Sequence, residues 1–533
     1  MLETKKPFAA GLVLALLATT GCYDFKTAFE ECVAAGQCRP EGCDRSAVDL
    51  PDDLFHDANC DGVDGMPGNA LFVDPDAGQD SNPGTPEAPL KRLSVAMKVA
   101  ATQGKALYLA QGTYDEADLK MDQPVSLHGA YSGVNGNWKR GAEYVTQIGG
   151  GTIGFTVNGL TDAGVVIEWV RIGSTASTTP GTPSIGLRVM DSSGVHLRHV
   201  QVEAGAGAEG RAGDSPSPNP QGGADGGVGK NGDAGTPTGG AQGASSCGPG
   251  SYAGGVGGQG AIEFGTPPAA GAPGQPSTTG GGDAGVNKLD SSCRETFCEC
   301  VGAPGGDGQP GAPGSTGKQG LPGDATGELV GGTWVAKSGT NGEDGTIGAG
   351  GGGGGGGGYC EAPGLAQSKG GGGGGGGAGG CPGAGAKGGQ GGGASIAMLL
   401  VRGNVKLEAC TLKTKGGGRG GAGGRGGLGG VGGPGGAGGL GMFSEKTPPG
   451  YLYQATGGKG GTGGKGGDGG QGGHGGNGAG GPSVGVWCDP GSSLSQTSPT
   501  TFGLKDPGAP GAGPLPEGNP GLLTNYHLCP GFP

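Results

Sequence analysis

The sequence predicts an all-β protein: a short solenoid of parallel strands from which long glycine-rich segments project. Three observations support this fold class. A short apolar strand pattern recurs four times without gaps, and the glycine-rich segments lie between these recurrences. In addition, 142 of the 533 residues are glycine and only 32% are hydrophobic. This composition is too poor in apolar residues for one continuous core and too rich in glycine for an ordinary globular chain.

The N-terminus has the pattern of a secretion signal. Two lysines precede an apolar run over residues 8–18, which is too short to span a bilayer. The run ends in the stretch TTGC at 19–22, which resembles a bacterial lipobox although Thr19 stands where that family usually has Leu. The resemblance implies a signal peptide over 1–21 and a lipid-modified, palmitate-bearing Cys22. A plain signal peptide cleaved nearby is the alternative.

The lipobox resemblance also implies a location. Tyr23 rather than Asp follows the cysteine, and by the sorting rule of that family the lipoprotein goes to the outer membrane. Two or more acyl chains anchor a protein stably. The expected partner is therefore the membrane, through the lipid anchor, with the protein exported to the cell surface.

Residues 22–69 predict a stalk that is rich in cysteine and aspartate. The chain has 14 cysteines, which suits an oxidising compartment. Four of them lie close together and allow two disulfides in three connectivities: Cys32, Cys38, Cys43 and Cys60. A zinc site is the alternative, but export and the lack of a CxxC pair argue against it.

The stalk also contains half of a calcium-loop pattern. Asp57, Asn59 and Asp61 are spaced as ligands 1, 3 and 5 of an EF-hand loop, Gly62 follows, and Asp64 comes next. The loop position that normally supplies a bidentate Glu is a glycine. The pattern predicts calcium as a cofactor bound by these four residues, with a solvated, disulfide-tied turn as the alternative.

Four segments share one strand pattern. Alternating apolar residues place one face of each strand inward, and one extra residue breaks the alternation, as expected at a corner between two short strands. No copy can bury its apolar side alone, so the copies are predicted to stack. The segments begin at Val125, Val165, Val195 and Val405. In this register Cys410 points inward as a small core residue.

A family resemblance agrees with this pattern. Residues 71–116 contain NPGT, then APLKRLSVAMKVA, then a strand that ends in GTY. They resemble the opening of right-handed parallel β-helix proteins of the pectate-lyase-like superfamily. In that family the middle piece is a helix that caps the solenoid, and Ser94 is suited to cap that helix, whose face carries Leu93, Ala96, Val99 and Ala100. The resemblance implies that this segment begins the β-helix, and it implies no particular activity.

The glycine-rich segments are predicted to be insertions at one corner of the solenoid. After the second, third and fourth copies the chain leaves the pattern, and each time it returns through a similar tripeptide. These returns are Ser184-Ile185-Gly186, Ser395-Ile396-Ala397 and Ser483-Val484-Gly485. A linker or a tail would not return to the same pattern.

The second insertion has a strict period of three. Residues 417–441 repeat Gly-Gly-X eight times, 442–456 break the period, and 457–478 resume it. A left-handed threefold backbone with a rise of about 3.1 Å places every X on one edge and leaves two bare edges for backbone pairing. The sequence therefore predicts an out-and-back hairpin of polyglycine II helices about 80 Å long. Disorder, a collagen triple helix and a calcium-binding glycine/aspartate roll are the alternatives.

The breaks in the period predict where contacts are made. Cysteines lie at several breaks, where disulfides would tie neighbouring segments: Cys247, Cys293, Cys298, Cys300, Cys360 and Cys381. Exposed aromatic side chains in such breaks are candidates for binding: Trp334, Tyr359, Tyr451 and Tyr453. The predicted tips of the bundle are 244–252, 286–300, 328–340, 359–368 and 442–456.

No catalytic residues can be singled out from the sequence. The acids between 146 and 203 are scattered, and no Ser-His-Asp or Cys-His arrangement is recognisable. The net charge is −13 and basic residues do not cluster beside aromatic ones, so nucleic acid is an unexpected partner.

The predicted function is that of a non-enzymatic, lipid-anchored structural or adhesion protein of the cell surface, with a surface polysaccharide or another surface protein as partner. A carbohydrate-active β-helix enzyme and a calcium-binding envelope protein are the alternatives. The predicted layout is a signal peptide (1–21), a stalk (22–69), a β-helix with its capping helix (70–203), a glycine-rich insertion (204–394), a rung (395–415), a Gly-Gly-X hairpin (416–482), and a final rung with a tail (483–533).

Overall fold

Short strands make up nearly all the regular structure of the computed structural model. It describes residues 46–532 apart from 163, 219, 248–251, 277–278, 291–295 and 363–365, together with Thr27, Glu30 and Glu31. The chain forms two compact units. The first ends at Gly112 and also contains Val125–Thr146, and the second contains Thr113–Pro124 and the chain from Gln147 onwards.

The elements within residues 46–532 are one α-helix, two short 3-10 turns and 27 strands. The helix is α1 (Leu93–Gln103), and the turns are Pro67–Asn69 and Val134–Gly136. The first strands are β1 (Ala70–Val73), β2 (Ala106–Ala110), β3 (Gly112–Asp115), β4 (Lys120–Met121), β5 (Leu127–Tyr131), β6 (Thr146–Gly149), β7 (Ile153–Asn158), β8 (Val165–Glu168), β9 (Val170–Gly173), β10 (Ser184–Met190), β11 (Val195–Arg198) and β12 (Gln201–Ala204). The others are β13 (Lys288–Leu289), β14 (Phe297–Val301), β15 (Glu328–Val330), β16 (Thr333–Val335), β17 (Cys360–Ala362), β18 (Ala366–Ser368), β19 (Ser395–Val401), β20 (Asn404–Glu408), β21 (Thr411–Thr414), β22 (Phe443–Lys446), β23 (Leu452–Thr456), β24 (Ser483–Cys488), β25 (Ser493–Gln496), β26 (Thr501–Gly503) and β27 (Leu523–His527).

The first unit is built on three parallel strands and α1. Strand β2 pairs with β1 on one side and β5 on the other. The helix packs against β1 and β2 through a buried face that contains Leu93, Ala96, Met97 and Ala100. The prediction of Ser94 as its N-cap is wrong, because the helix begins two residues earlier than that cap requires: Arg92 occupies the cap position, without a side-chain cap bond, and Ser94 lies in the first turn.

The second unit contains three parallel sheets that fit a β-helix-like fold. Their strand orders are β8-β11-β20-β25, β27-β24-β19-β10-β7-β4 and β26-β21-β12-β9-β6-β3. The chain visits the three sheets in turn, and the predicted copies stack in the register of their alignment. Val195 pairs with both Val165 and Val405, and Val202 pairs with Ile172 and Leu412.

The extra residue of the second, third and fourth copies forms the predicted corner, whereas in the first copy the left-handed residue is Ala130, one position later and within β5. Trp169, His199 and Ala409 have φ of 52°, 50° and 51°, in the left-handed region, between the two strands of their copies. This conformation turns the chain after one strand and reverses the alternation of side chains. Cys410 follows the last of these corners and is buried, as predicted, and it is the free cysteine among the described residues.

Two glycine-rich segments connect the third sheet of the second unit to its second sheet. They run from β12 to β19 and from β21 to β24. Ser184, Ser395 and Ser483 are aligned in register at the three returns. All three serines are fully buried and hydrogen-bonded, so the returns are fixed parts of the core.

The two Gly-Gly-X arms pair with each other in antiparallel fashion. The N–H groups of Gly460, Gly463 and Gly466 donate to the carbonyls of Gly439, Gly436 and Gly433 at 2.8–2.9 Å. The same spacing of three residues continues along both arms. The second insertion is therefore an out-and-back hairpin whose regular pairing runs through the backbone.

The all-glycine run 350–358 is surrounded by other glycine-rich stretches. Successive N–H groups point to three different neighbours, and successive carbonyls accept from three more, with N···O distances of 2.7–3.0 Å. Every residue of the run is buried. The neighbours that accept are 269–275, 303–309 and 371–377, and those that donate are 255–261, 282–285 and 458–464.

Glycine content decides how many sides of a stretch are covered. In 302–323 glycine occupies every third residue, with Gly306 as the one addition. The periodic glycines donate to one neighbour: Gly305, Gly308 and Gly311 bond the carbonyls of Lys459, Thr462 and Lys465. Most other residues of this stretch are exposed. Because a bare edge is needed wherever two backbones meet, glycine at every position permits neighbours on all sides.

Candidate functional site

A group of small strands lies at the far end of the Gly-Gly-X arms. We call it the distal module, and it consists of the parallel and antiparallel strands β13, β14, β17, β18, β22 and β23. Its core contains Cys300, Cys360 and three alanines, with Tyr453 packed against them. Small buried residues suit this position because the three strands β14, β23 and β22 approach β17 and β18 closely.

Two predicted binding residues lie on the surface of the distal module. Tyr451 and Tyr453 stack with ring centroids 6.0 Å apart and an interplanar angle of 16°. Tyr451 is 50% exposed, whereas Tyr453 is half-buried. Phe443 and Phe297 of the same module are exposed as well. Phe297, Phe443 and the polar pair in which Gln454 donates to Glu445 at 2.9 Å lie on one side of this sheet, whereas Tyr453 lies on the core-facing side.

Disulfides hold the insertions together at the predicted breaks. Cys300 is bonded to Cys360 inside the distal module, and Cys247 is bonded to Cys381 within the bundle. A third disulfide, Cys488–Cys529, joins β24 to the chain after β27. Cys60 and Cys298 are disulfide-bonded as well.

Trp334 does not lie at a tip, and the expectation that it is exposed is wrong. It is buried, its indole N–H donates to the Thr326 carbonyl at 3.1 Å, and its ring meets Trp487 edge-on. The reason is the direction of the stretch 302–323. This stretch runs back along the arm that returns to β24, so the hairpin β15–β16 packs on the β-helix-like fold.

Tyr359 belongs to the distal module but is also buried, contrary to the prediction. It follows the buried run 350–358 directly, and its backbone N–H donates to Asn287 Oδ1 at 2.8 Å. Burial raises the pKa of its phenol. Because Tyr359 directly follows this buried run, the stretches that surround the run also cover its side chain.

Asp57, Asn59 and Asp61 form a compact turn. Asp57 Oδ1 and Oδ2 accept from the N–H groups of Asp61 and Gly62 at 3.1 and 2.8 Å, and Asn59 Oδ1 also accepts from Asp61 at 2.9 Å. These side-chain oxygens therefore accept hydrogen bonds from backbone N–H groups of their own loop. No group of three or more His, Cys, Asp or Glu residues in the described chain is arranged to hold a metal ion. Calcium binding here stays a prediction.

The structure turns Asp64 away from the other three residues. Its carboxylate pairs with Arg140 at 3.0 Å, and both side chains are almost fully buried. Burial raises the pKa of Asp64 to about 6, against the opposing effect of Arg140. Tyr131 donates its hydroxyl to the Asp64 carbonyl at 2.6 Å. Asp64 therefore fastens the end of the predicted stalk segment to β5.

Cys22, the predicted lipidation site, lies outside the described residues. Within the part of the chain that is described, no helix has both the length and the apolar character needed to cross a bilayer.

A polar groove lies on the outer face of the third sheet, where sequence reasoning placed no site. It has a volume of about 370 Å³ and is lined by Gln147, Arg171, Gln201, Glu203 and Lys415, with Asp115 at one end. Lys415 Nζ lies 3.2 Å from Glu203 Oε1. Arg171 and Gln201 occupy the same position in successive copies. Aligning the outward positions of the copies was the signal that could have revealed it.

A second cavity of about 420 Å³ lies beside the hairpin β15–β16. Trp487, His527, Arg402 and Asp489 contribute to its lining. The indole and imidazole centroids lie 4.2 Å apart, and burial lowers the pKa of His527. Sequence reasoning missed this cavity because it depends on the unexpected position of Trp334.

Comparison with known proteins gives only distant likeness. No protein-family model and no curated protein matches the sequence. The crystal structure of a GH136 lacto-N-biosidase from Eubacterium ramulus is similar over 26% of this chain and 27% of its own, with 16% identity and a TM-score of 0.20. Pectate lyase Pel9A is similar over 26% of this chain and 40% of its own, with 17% identity and a TM-score of 0.15. At these TM-scores the likenesses carry no argument about fold or activity, and the fold of the chain is described by its own strand pairing.

Proposed function

We propose that this chain is a lipid-anchored structural or adhesion protein of the outer membrane, exposed at the cell surface and without enzymatic activity. Its glycine-rich insertions act as a stiff bundle of polyglycine II helices that presents the distal module. One observation carries the proposal: the backbone hydrogen bonds between glycine-rich stretches repeat every three residues, and around 350–358 they reach six neighbours.

This pattern favours an ordered bundle over a flexible brush. Ordering the backbone costs about 1–2 kcal/mol of conformational entropy per residue, and this cost is largest for glycine. A chain that also loses its hydrogen bonds to water must replace them. Along the run 350–358, every backbone N–H donates to a carbonyl of another stretch, so each lost hydrogen bond from an N–H to water is replaced. The all-glycine runs lie innermost, so the stiffest part is the part with no side chains.

The helix α1 fits the proposed role of a cap. It packs on β1 and β2 with one apolar face and exposes the opposite face, which carries Lys98. A helix that covers strand ends in this way protects them from pairing with another chain.

The proposed adhesive surface is the one around Tyr451. Exposed aromatic rings suit contact with a surface polysaccharide or with another cell-surface protein. The test is binding of the purified protein to target cells, using Tyr451→Ala with Tyr453→Ala, and Phe264→Ala as an exposed aromatic control. We expect at least a tenfold loss for the double variant and little change for the control. Unchanged binding by the double variant would refute the adhesive role.

Two further treatments separate the possible partners. Periodate oxidation of the target cells removes a polysaccharide partner, and protease treatment removes a protein partner. Loss of binding after only one of them identifies the class. Anchoring is tested separately with Cys22→Ser, which should release the protein from the membrane fraction and abolish incorporation of labelled palmitate.

The polar groove supports one second candidate, a carbohydrate-active site. Its neutral amides and paired charges are suited to hydroxyl groups of a saccharide. Only two carboxylates, Asp115 and Glu203, line it, and Glu203 is paired with Lys415. Depolymerisation of a polysaccharide that disappears in Glu203→Gln would favour this candidate over the structural role.

A further inference from the structure

An apolar stripe runs along the outer edge of the outgoing Gly-Gly-X arm. Its members are the X residues of the distal half, one every three positions: Leu428, Val431, Pro434, Ala437 and Leu440. All five are exposed, and Leu428, Val431 and Leu440 remain 60–64% accessible. With a rise of about 3.1 Å per residue, the side chains stand about 9 Å apart along about 37 Å.

The stretch beside the stripe is mixed in character, with exposed Asp225 and Lys230 as well as exposed Val228. Gly223, Gly226 and Gly229 donate to the carbonyls of Val431, Pro434 and Ala437 at 2.9 Å, which places residues 221–232 directly beside it. In this neighbour Val228 is 67% exposed. The return arm on the other side carries polar X residues instead, such as Lys459, Thr462 and Lys465. The apolar character is therefore confined to one face of the bundle.

The order of side chains along the stripe is nearly the same in both directions. Leucines stand at the two ends, Val431 and Ala437 flank the middle, and Pro434 lies at the centre. A twofold axis through Pro434 would bring Leu428 of one copy onto Leu440 of the other and Val431 onto Ala437. Isologous dimers need such a self-complementary surface.

We infer that this apolar stripe is the contact surface for a second copy of the chain, which lies antiparallel to the first. This inference rests on the proposed polyglycine II geometry. A strip about 37 Å long and about 15 Å wide buries about 1,100 Å² over both copies, which is the size of a weak or transient interface.

The experiment measures self-association of the exported chain with Cys22→Ser, so that no lipid contributes. Sedimentation over a concentration series should show a monomer–dimer equilibrium. Val431→Lys combined with Leu440→Lys should raise the dimer dissociation constant at least about tenfold. Leu321→Lys is the matched control, since Leu321 is an exposed X residue on a different stretch. A monomer at every concentration, or equal loss in the control, would overturn the inference.

A cysteine scan keeps the inference testable if the charged variant folds poorly. Pro434→Cys places a thiol next to the proposed axis, so two copies should form a disulfide-linked dimer under mild oxidation. Leu321→Cys should remain monomeric under the same conditions. Equal cross-linking at both positions would contradict the antiparallel contact. Slow hydrogen exchange of the arms together with a monomeric wild type would reject the dimer while leaving the bundle intact.

Discussion

At the residue scale, the glycines of the bundle are required by the space around them. A Cβ built on Gly354 would lie 2.1 Å from the Gly461 carbonyl oxygen, and the other glycines of 350–358 face similarly close backbone carbonyls. The conflict is with backbone rather than with a side chain that can turn away. Glycine is needed here because it lets neighbouring stretches of the backbone approach each other closely.

This close approach gives a direct test at one residue. Gly354→Ala forces two stretches apart and should lower the free energy of unfolding of the bundle by about 3 kcal/mol. Gly265→Ala is the control, because a Cβ there meets nothing within 4 Å, and its effect should stay below about 0.5 kcal/mol. Local stability can be read from exchange rates of amides in 371–377. Equal, small effects of the two changes would show that the stretches are not packed.

Asp64 predicts a pH dependence in the first unit. Its pKa is about 6 in the folded protein because it is buried, and about 3.9 in an unfolded chain. Between these values the folded state keeps a proton that the unfolded state has lost, so stability is highest below pH 4 and falls as the pH rises through 6. The loss is up to about 3 kcal/mol.

The measurement is the melting temperature of the wild type and of Asp64→Asn at several pH values. From pH 4 to pH 7 the wild type should lose stability relative to the variant, whereas the exposed Asp76→Asn should follow the wild type. Parallel curves for wild type and Asp64→Asn would show that Arg140 keeps this carboxylate ionised throughout.

Some polar X residues of the return arm make hydrogen bonds that the sequence did not predict. Asp468 Oδ1, His474 Nδ1 and Asn477 Oδ1 each accept from a glycine N–H of the opposite arm at 2.9 Å. The Gly-Gly-X period fixes which edge a side chain occupies, but not whether it bends back to bond a neighbouring backbone, because that depends on the offset of the arms.

At the element scale, the four copies were predictable because one face of each strand has to be buried. Val195 and Val405 pair in the register of the sequence alignment, and the corner falls on the extra residue, as at His199. A slip of one residue would turn every apolar side chain outward. The hairpin β15–β16 was not predictable, because the path of 302–323 is set by contacts with the return arm.

The disulfide Cys247–Cys381 should stabilise the bundle through the long segment that it closes. The two cysteines are 134 residues apart, and the chain-entropy model gives about 5 kcal/mol for such a loop. Replacing both by serine should speed exchange in 221–243 and 376–386. The matched change at Cys488 and Cys529, 41 residues apart, should affect β24 and β27 instead. Identical exchange patterns for the two variants would refute this separate role.

At the scale of the whole molecule, the sequence predicted the division into a strand solenoid and corner insertions. The evidence was the repeated return through Ser-Ile-Gly and its relatives, and those returns align in the second sheet. What surrounds each glycine-rich stretch was not predictable. A stretch such as 350–358 has no side chains to mark its neighbours, so its six partners follow only from the packing of all the others.

The polar groove could not be predicted from the sequence either. Its residues come from separate copies and from Lys415 at the start of the second insertion, and none stands out alone. The exposed Tyr451 was predicted from its place in a break of the period, and the buried Trp334 and Tyr359 were expected to be exposed for the same reason. A break identifies where a stretch ends, while burial depends on what lies around that end.

Hydrogen exchange of the full chain over 204–394 and 416–482 tests the ordered bundle most directly. The account predicts slow exchange for the inner glycines, slowest in 350–358 and 370–377, and faster exchange at the exposed non-glycine positions of 302–323. Exchange at the rate of an unstructured peptide throughout both insertions would contradict it.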